Sequence, residues 1–380
     1  HTVEIMKGPD AGLQVDTGFI VCNNRNYPNF LKFLADLKVP TQPSDMSFSY
    51  YNPLSDFYWG SDFPRGVFAD FKNYFNSKYY RFLAEVIRFN KRAKAFSDTQ
   101  SSQSLSLAEW LNQNKISEEC VTGYVVPMGA AIWSCSQEKI LQFPAQAFMQ
   151  FWQNHGLLTL LNRPKWRTVV KGSSRYMDAF QSGFNGVIQC NSSIIGVSNH
   201  EAGVNIRFAG GKNQLFDKVV IAAHADQALR LLSKPTAEQH QALSAWSYSL
   251  NEVVLHTDIS FLAPNKRLWC SWNFLQDKNS QNEDPLTVTY YMNRLQQLST
   301  DRHYMVTLNP RRSIHADRII KKLTYTHPIY TKEAIESQSK LKLLNKKSNI
   351  LFCGSYFGYG FHEDAVTSAL NVVKEIIHNK

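Results

Sequence analysis

Apolar and polar residues alternate in "HTVEIMKG" (1 to 8) and again in "LQVDTGFIV" (13 to 21), with "PDAG" between them, which predicts two strands joined by a turn. The period then changes. In "NYPNFLKFLADLKV" (26 to 39), Phe30, Phe33, Leu34 and Leu37 fall on one side of a helix, Pro28 sits in its first turn, and Asn26 stands where a cap belongs. From about 63 to 163 helical spacing dominates, broken by the loop "SDTQSSQSLS" (97 to 106), and predicts a mostly helical insertion.

The second half reads differently. "WRTVVKGSSRYMDAFQSGF" (166 to 184) predicts a strand, a turn and a helix, and glycine-punctuated strands follow. "GVNIRF" (203 to 208), a Gly-Gly turn and "DKVVIAAHA" (217 to 225) read as a hairpin feeding a buried strand, and "ADQALRLL" (225 to 232) as a helix. "NEVVLHTD", "LWCSWNFL", "LTVTYYMN" and "YMVTLN", between 246 and 309, predict an antiparallel sheet. The chain closes with a strand "NILFCG" (349 to 354), a loop "SYFGYGFHE", and a helix "DAVTSALNVVKEII" with Val366, Ala369, Leu370, Val373 and Ile377 as its apolar face.

That closing stretch carries the most chemistry. The apolar run Ile350 to Cys353, ended by Gly354, predicts a buried parallel strand whose carboxyl end opens into a loop, the edge at which open α/β sheets hold ligands. Gly354, Gly358 and Gly360 permit sharp turns and close approach of backbone to a guest. Glu363 and Asp364 begin a helix whose partially positive amino end suits an anionic or electron-rich group. Small residues at Ala365, Ser368 and Ala369 admit either a planar group or another backbone. A simple capped helix on a sheet explains the same residues, and they alone leave both readings open.

Composition narrows the classes. A chain of 380 residues exceeds one ordinary core and predicts two lobes, and 43% hydrophobic with 19% charged residues describes a folded protein. No apolar run approaches the roughly 20 residues of a membrane-spanning helix, so a soluble protein is expected. The chain begins at His1 with no secretory pattern before it, which predicts processing or further residues upstream. Six cysteines without a CxxC pair argue against a zinc site or redox disulfide and for a reducing cytoplasm, with no metal expected. The net charge of +10 is spread rather than blocked, so nucleic acid is not an expected partner. Aromatic clusters in "FSYYNPLSDFYWG" (48 to 60) and "NYFNSKYYRF" (73 to 82) suit the wall of a site for a flat or apolar guest.

Eight stretches, "VDTGFIV", "YPNF", "VPTQPSDMSFS", "NHGLL", "WRTV", "GSSRY", "HPIY" and "GYGFHEDA", cover nearly the whole chain in combination. Together they resemble the flavin-containing amine oxidase superfamily of monoamine oxidases, phytoene desaturases and protoporphyrinogen oxidases. More closely, the chain resembles the bacterial family of predicted NAD/FAD-binding or FAD-dependent amine oxidoreductases. The resemblance implies an α/β fold: a Rossmann-like parallel sheet for FAD, with an antiparallel-sheet plus helical substrate domain. It assigns 1–50, 167–245 and 345–380 to the FAD-binding domain, and 51–166 and 246–344 to the substrate domain. The family's Gly-x-Gly-x-x-Gly fingerprint for the diphosphate does not occur in this sequence. The expectation is therefore an N-terminally incomplete copy lacking roughly 35 residues, the length of a first β-α-β unit.

The resemblance also implies roles. Asp16, Thr17 and Gly18 would approach the flavin from the amino-terminal side, and Ile195 and Val197 would border the adenine. Ala223 would end the strand beneath the dinucleotide, while Gly354 and Ser355 would meet the ribityl and phosphate part. Tyr356, Tyr359, Gly360, Phe361 and His362 would line the ring face, and Glu363, Asp364 and Ala365 would present the helix end to it. His362 and Tyr359 are the catalytic candidates, His362 because an ordinary imidazole titrates near 6.5. Trp133, Trp152, Trp269, Trp272, Tyr290 and Tyr291 are candidates for the substrate wall. The implied activity is oxidation of a C–H bond of an amine or lipid-like substrate by hydride transfer to flavin, with peripheral contact to an anionic inner membrane face. Two alternatives stay open: a non-catalytic remnant, and a sugar-mutase-type flavoenzyme, for which Arg163, Arg167 and Arg175 are the nearest arginine trio.

Overall fold

The computed structural model describes residues 1–378 except 19, 100–104, 134–135, 160–162, 277–286 and 347. Cys135 and half of the 97–106 loop lie outside the described residues. The chain is mixed α/β and divides into two compact units: His1–Asn26, Leu34–Ala179 and Ser249–His327 form one, and Tyr27–Phe33, Phe180–Tyr248 and Pro328–Lys380 form the other.

The first unit is built on a seven-stranded sheet in the order Ile319–Ile329, Ser247–His256, Met305–Leu308, Val288–Tyr291, Trp272–Leu275, Phe48–Asn52, Phe57–Gly60. All four strands expected between 246 and 309 are present. The sheet is not purely antiparallel, because Trp272–Leu275 runs parallel to Phe48–Asn52, with Trp272 opposite Phe48. The aromatic stretch 48–60 is a hairpin of this sheet, and Tyr50 stacks on Phe274 at 5.4 Å. The eleven-residue strand Ile319–Ile329 has no clear alternation in sequence; it lies at the sheet's end, where Lys321, Lys322 and Pro328 are tolerated.

The helical insertion is present as expected. Ser77–Ser97 starts at Asn76, whose side chain accepts from the N–H groups of Lys78 and Tyr79, and it buries Tyr79, Phe82, Phe89 and Ala93 on one side. Phe89, Tyr124 and Trp152 meet edge to face, with centroids 5.7 to 6.0 Å apart.

In the second unit, Ile194–His200, Gly203–Phe208 and Asn213–Phe216 form an antiparallel sheet, and Val219–Ile221 pairs in parallel with Ile350–Phe352. Ile350, Leu351 and Phe352 are buried as expected, but Val219–Ile221 is only partly so, with Val220 exposed. The closing helix His362–His378 is turned from its expected orientation. Val372 joins Leu351 and Cys353 in a small core with Ala369 and Ile376 against it, whereas Leu370, Val373 and Ile377 are exposed. Two overlapping apolar stripes exist on this helix, and the strand beneath selects one.

Candidate functional site

The two parallel strands of the second unit end side by side, Ile221 opposite Phe352, and Cys353 N–H still donates to Ile221 O at 3.2 Å. Beyond them the chain bends twice, into the helix Ala225–Leu231 and into the short turn Ser355–Phe357. A Cβ on Gly354 would lie 3.6 Å from Ala223 O and strike the Tyr356 ring, so only glycine leaves this edge open.

The loop is held from three sides. Ser355 O accepts from the N–H groups of Gly358 and Gly360, both at 3.1 Å. Gln338 Nε2 donates to Gly358 O at 2.6 Å and to Tyr356 O at 3.3 Å. Asp364 Oδ2 accepts from Tyr359 N–H and Phe361 N–H, each at 3.0 Å, and burial raises its carboxyl above the usual range. Gly360 takes φ +91°, the left-handed region open to glycine. Ser368 Oγ accepts from Gly354 N–H at 2.9 Å, so the small residue at 368 admits another backbone, one of the two readings its size allowed.

Glu363 faces elsewhere. It accepts from Asn29 N–H at 3.1 Å, Asn29 Nδ2 at 2.7 Å and Phe30 N–H at 2.9 Å, and so caps the helix Pro28–Asp36 from across the unit. Asn26, expected in that role, is not the cap; its N–H donates to Asn23 Oδ1 and its own Oδ1 has no hydrogen-bond partner among the described residues. Sequence distance hid a cap 334 positions from Asn29 and 333 from Phe30, since local cap rules consider only neighbours.

Aromatic rings surround the loop. Trp246 meets Tyr330 at 5.4 Å and Tyr356 at 5.8 Å, and its indole donates to Ser337 Oγ at 2.9 Å. Tyr248 lies flat on His224 at 4.3 Å and its hydroxyl accepts from Ala225 N–H, starting that helix. The Tyr356 hydroxyl is buried without a partner among the described residues, and burial pushes its phenol far up. His362 packs edge-on against Phe30 at 5.6 Å, and burial pushes its imidazole down to about 4. Burial also raises the Tyr359 phenol. Trp246, Tyr248, Tyr330 and Gln338 were not anticipated from sequence; only Tyr330, inside "HPIY", carried a signal.

Ile195 and Val197 were expected to share a face. A bulge between Ile194 and Gly196 breaks the alternation, leaving Ile195 51% exposed and Val197 3% exposed. Ala365, in the first turn of the closing helix, donates to Phe361 O at 3.2 Å.

The remaining candidates belong to the first unit. Asp16 is fully buried and accepts from Thr2 Oγ1 at 2.6 Å, Ser173 N–H at 2.8 Å and Ser173 Oγ at 3.0 Å, joining its strand to the turn before Ser174–Gly183. Burial raises its carboxyl. Thr17 Oγ1 meets the Tyr325 hydroxyl at 2.7 Å, and Gly18 is exposed beside the His1 ring. Trp272 and Tyr290 meet edge to face at 4.7 Å, and Tyr291 bonds His303 Nδ1 at 2.8 Å. Trp269 donates to Ala263 O at 2.7 Å, while Trp133 and Trp152 are in the helical core. The arginine trio does not converge: Arg167 is held by Thr41, Arg163 by Thr159 O, and Arg175 reaches Asp178 at 4.0 Å.

Two parallel strands whose carboxyl ends open beside a helix amino terminus are the kind of edge at which open α/β sheets hold ligands. A family model described as flavin containing amine oxidoreductase matches residues 3–377, and the chain belongs to that family. It is an FAD-dependent oxidoreductase of the amine oxidase type, and its substrates are small molecules. Putrescine oxidase, solved as the wild type bound to putrescine, is 12% identical and aligns over 100% of this chain and 90% of its own, with a TM-score of 0.68. A CLA-producing fatty acid isomerase from P. acnes is 11% identical over 98% and 88%, with a TM-score of 0.66. Cyclohexylamine oxidase from Brevibacterium oxydans IH-35A is 10% identical over 99% and 91%, with a TM-score of 0.64. At these identities the likeness is one of fold. No curated protein matches the chain in sequence. Among the described residues no helix is long and apolar enough to cross a membrane.

The residues present fit the flavin side of FAD. Gly354 leaves the strand edge bare, Tyr356 offers a buried hydroxyl, and the closing helix starts behind the loop. For the diphosphate, the Gly-x-Gly-x-x-Gly turn of dinucleotide folds does not occur among these 380 residues.

Proposed function

We propose that this oxidoreductase oxidises a C–H bond in an apolar, lipid-like amine or acyl chain drawn from an anionic membrane surface. When bound, FAD supplies the two-electron acceptor for that bond. The chain's own residues position both partners. Gly354, Ser355 and Tyr356 would hold the ribityl side, and the first turn of the closing helix, with the small Ala365 allowing close approach, would turn its partial positive charge toward the ring. Asp364 fixes the backbone of Tyr359 and Phe361 and so holds the loop that carries their rings. His362 stays uncharged at neutral pH, because burial pushes its imidazole down to about 4. Tyr359 keeps its phenolic proton. Asp16 and Glu363 act as clamps of the surrounding backbone.

The observation that carries the reading is the buried Tyr356 hydroxyl, which has no hydrogen-bond partner among the described residues, at the carboxyl edge of two parallel strands. The lipid-like substrate draws support from the aromatic content of 13% and from one neighbour being a fatty acid isomerase, against two that are amine oxidases. The test is optical. The purified chain, incubated with FAD and desalted, should keep the flavin absorption bands, and anaerobic addition of a long-chain amine or unsaturated fatty acid should bleach them. A colourless protein removes the enzyme reading; bleaching by putrescine alone removes the lipid-like substrate.

A further inference from the structure

Within the first unit, the segment from Phe63 into the helix Ser77–Ser97 turns large apolar side chains outward. Phe63 is 79% exposed, Phe71 72% and Phe75 78%, with Tyr74, Tyr80 and Ile87 also exposed. These rings form an ordered surface. Phe71 contacts Tyr74 at 5.8 Å and Phe75 at 5.3 Å, Tyr74 stacks on Phe68 at 4.4 Å, and the Tyr80 hydroxyl donates to Tyr74 O at 3.2 Å. The turn Phe71–Phe75 buries none of its residues. It is fastened from beneath, by Asp70 accepting from Lys72 N–H at 2.9 Å and from the Tyr58 hydroxyl.

Charge follows the same surface. Residues 65–94 carry eight Lys and Arg against two acids, Asp70 and Glu85. Both acids are engaged, Asp70 in the turn and Glu85 with Arg88 at 2.6 Å. Arg65, Lys72, Lys78 and Arg81 are exposed among the rings. Exposed aromatic side chains interleaved with cations match the boundary of an anionic bilayer, where rings enter the headgroup level and ammonium and guanidinium groups meet phosphates. A second copy of this chain suits the surface poorly, because a twofold contact would set one cationic face against another.

We propose that this face seats on an anionic phospholipid bilayer, with Phe71 and Phe75 inserting and Lys72, Lys78 and Arg81 contacting lipid phosphates. The proposal rests on the membrane-side reading of the substrate for its purpose, but its test needs no flavin.

Flotation of the full chain with phosphatidylcholine vesicles, with and without phosphatidylglycerol, reads it directly. Binding should require phosphatidylglycerol and weaken as salt rises. The Phe71→Ser/Phe75→Ser variant should lose about tenfold in affinity per phenylalanine. Lys72→Glu/Lys78→Glu should lose about tenfold or more in total and with it the preference for the anionic lipid. Ile377→Ser, an exposed apolar site on the other unit, should bind as the parent does. Equal binding to pure phosphatidylcholine, no binding at all, an equal loss in Ile377→Ser, or phenylalanine variants that change only the chain's self-association would each overturn the proposal. A flavin-loaded chain that ignores vesicles sinks this inference and the membrane source of the substrate but leaves the flavin-dependent oxidation standing; a colourless chain that binds them sinks only the enzyme reading.

Discussion

Replacing Glu363 with alanine removes the acceptor for two N–H groups at the start of Pro28–Asp36 and for the Asn29 side chain. Loss of a helix cap costs about 1 kcal/mol, and hydrogen bonds to a charged acceptor about 1.5 to 3 kcal/mol each. Water reaches this half-buried site and replaces part of the loss, so the net cost should be about 2 to 3 kcal/mol. Glu363→Gln keeps one acceptor oxygen and turns an amide toward the other donor, so it should lose about half as much. Urea denaturation gives the magnitude, and amide exchange at Asn29 and Phe30 gives the location. Glu201→Ala, in an exposed hairpin turn, is the control. If Glu363→Ala unfolds at the parent's urea midpoint, with unchanged exchange at those two amides, the cross-cap does not exist in solution and Glu363 returns to the list of groups open to a ligand.

Two further outcomes follow from the same packing. His256 in the large sheet accepts from Asp258 N–H at Nδ1 and bonds Thr307 Oγ1 through Nε2, and burial pushes it down to about 4. Between about 6.5 and about 4 the unfolded chain binds a proton that the folded one refuses; the contribution is full above 6.5 and is lost as pH falls through 4. His256→Gln should flatten the stability profile in that window by about 2 to 3 kcal/mol, and superimposable profiles would refute the assignment. In Gly358→Ala the new Cβ falls on the Asp364 carboxylate, which must then release Tyr359 and Phe361. Flavin retention should drop at least about tenfold, the effect of roughly one such bond, and retention at the parent's level would show that the loop need not be held.

Local patterns were legible wherever the chain's own neighbours decide the conformation. The apolar run to Gly354, the turn at "AGG", the helical stretch after 63 and the four strands between 246 and 309 are all where periodicity and turn residues put them. Tertiary contact decided the rest. Val372 rather than Leu370 faces inward because Leu351 and Cys353 lie beneath one of two equally apolar stripes. One extra residue at 194–196 overrides the alternation that joined Ile195 to Val197. Glu363 and Asp364 read as one acidic helix start, yet one carboxylate closes the glycine loop and the other caps a helix more than 330 residues earlier. A sequence fixes which side chains can accept a hydrogen bond; only the folded chain determines which donors come within 3 Å of them.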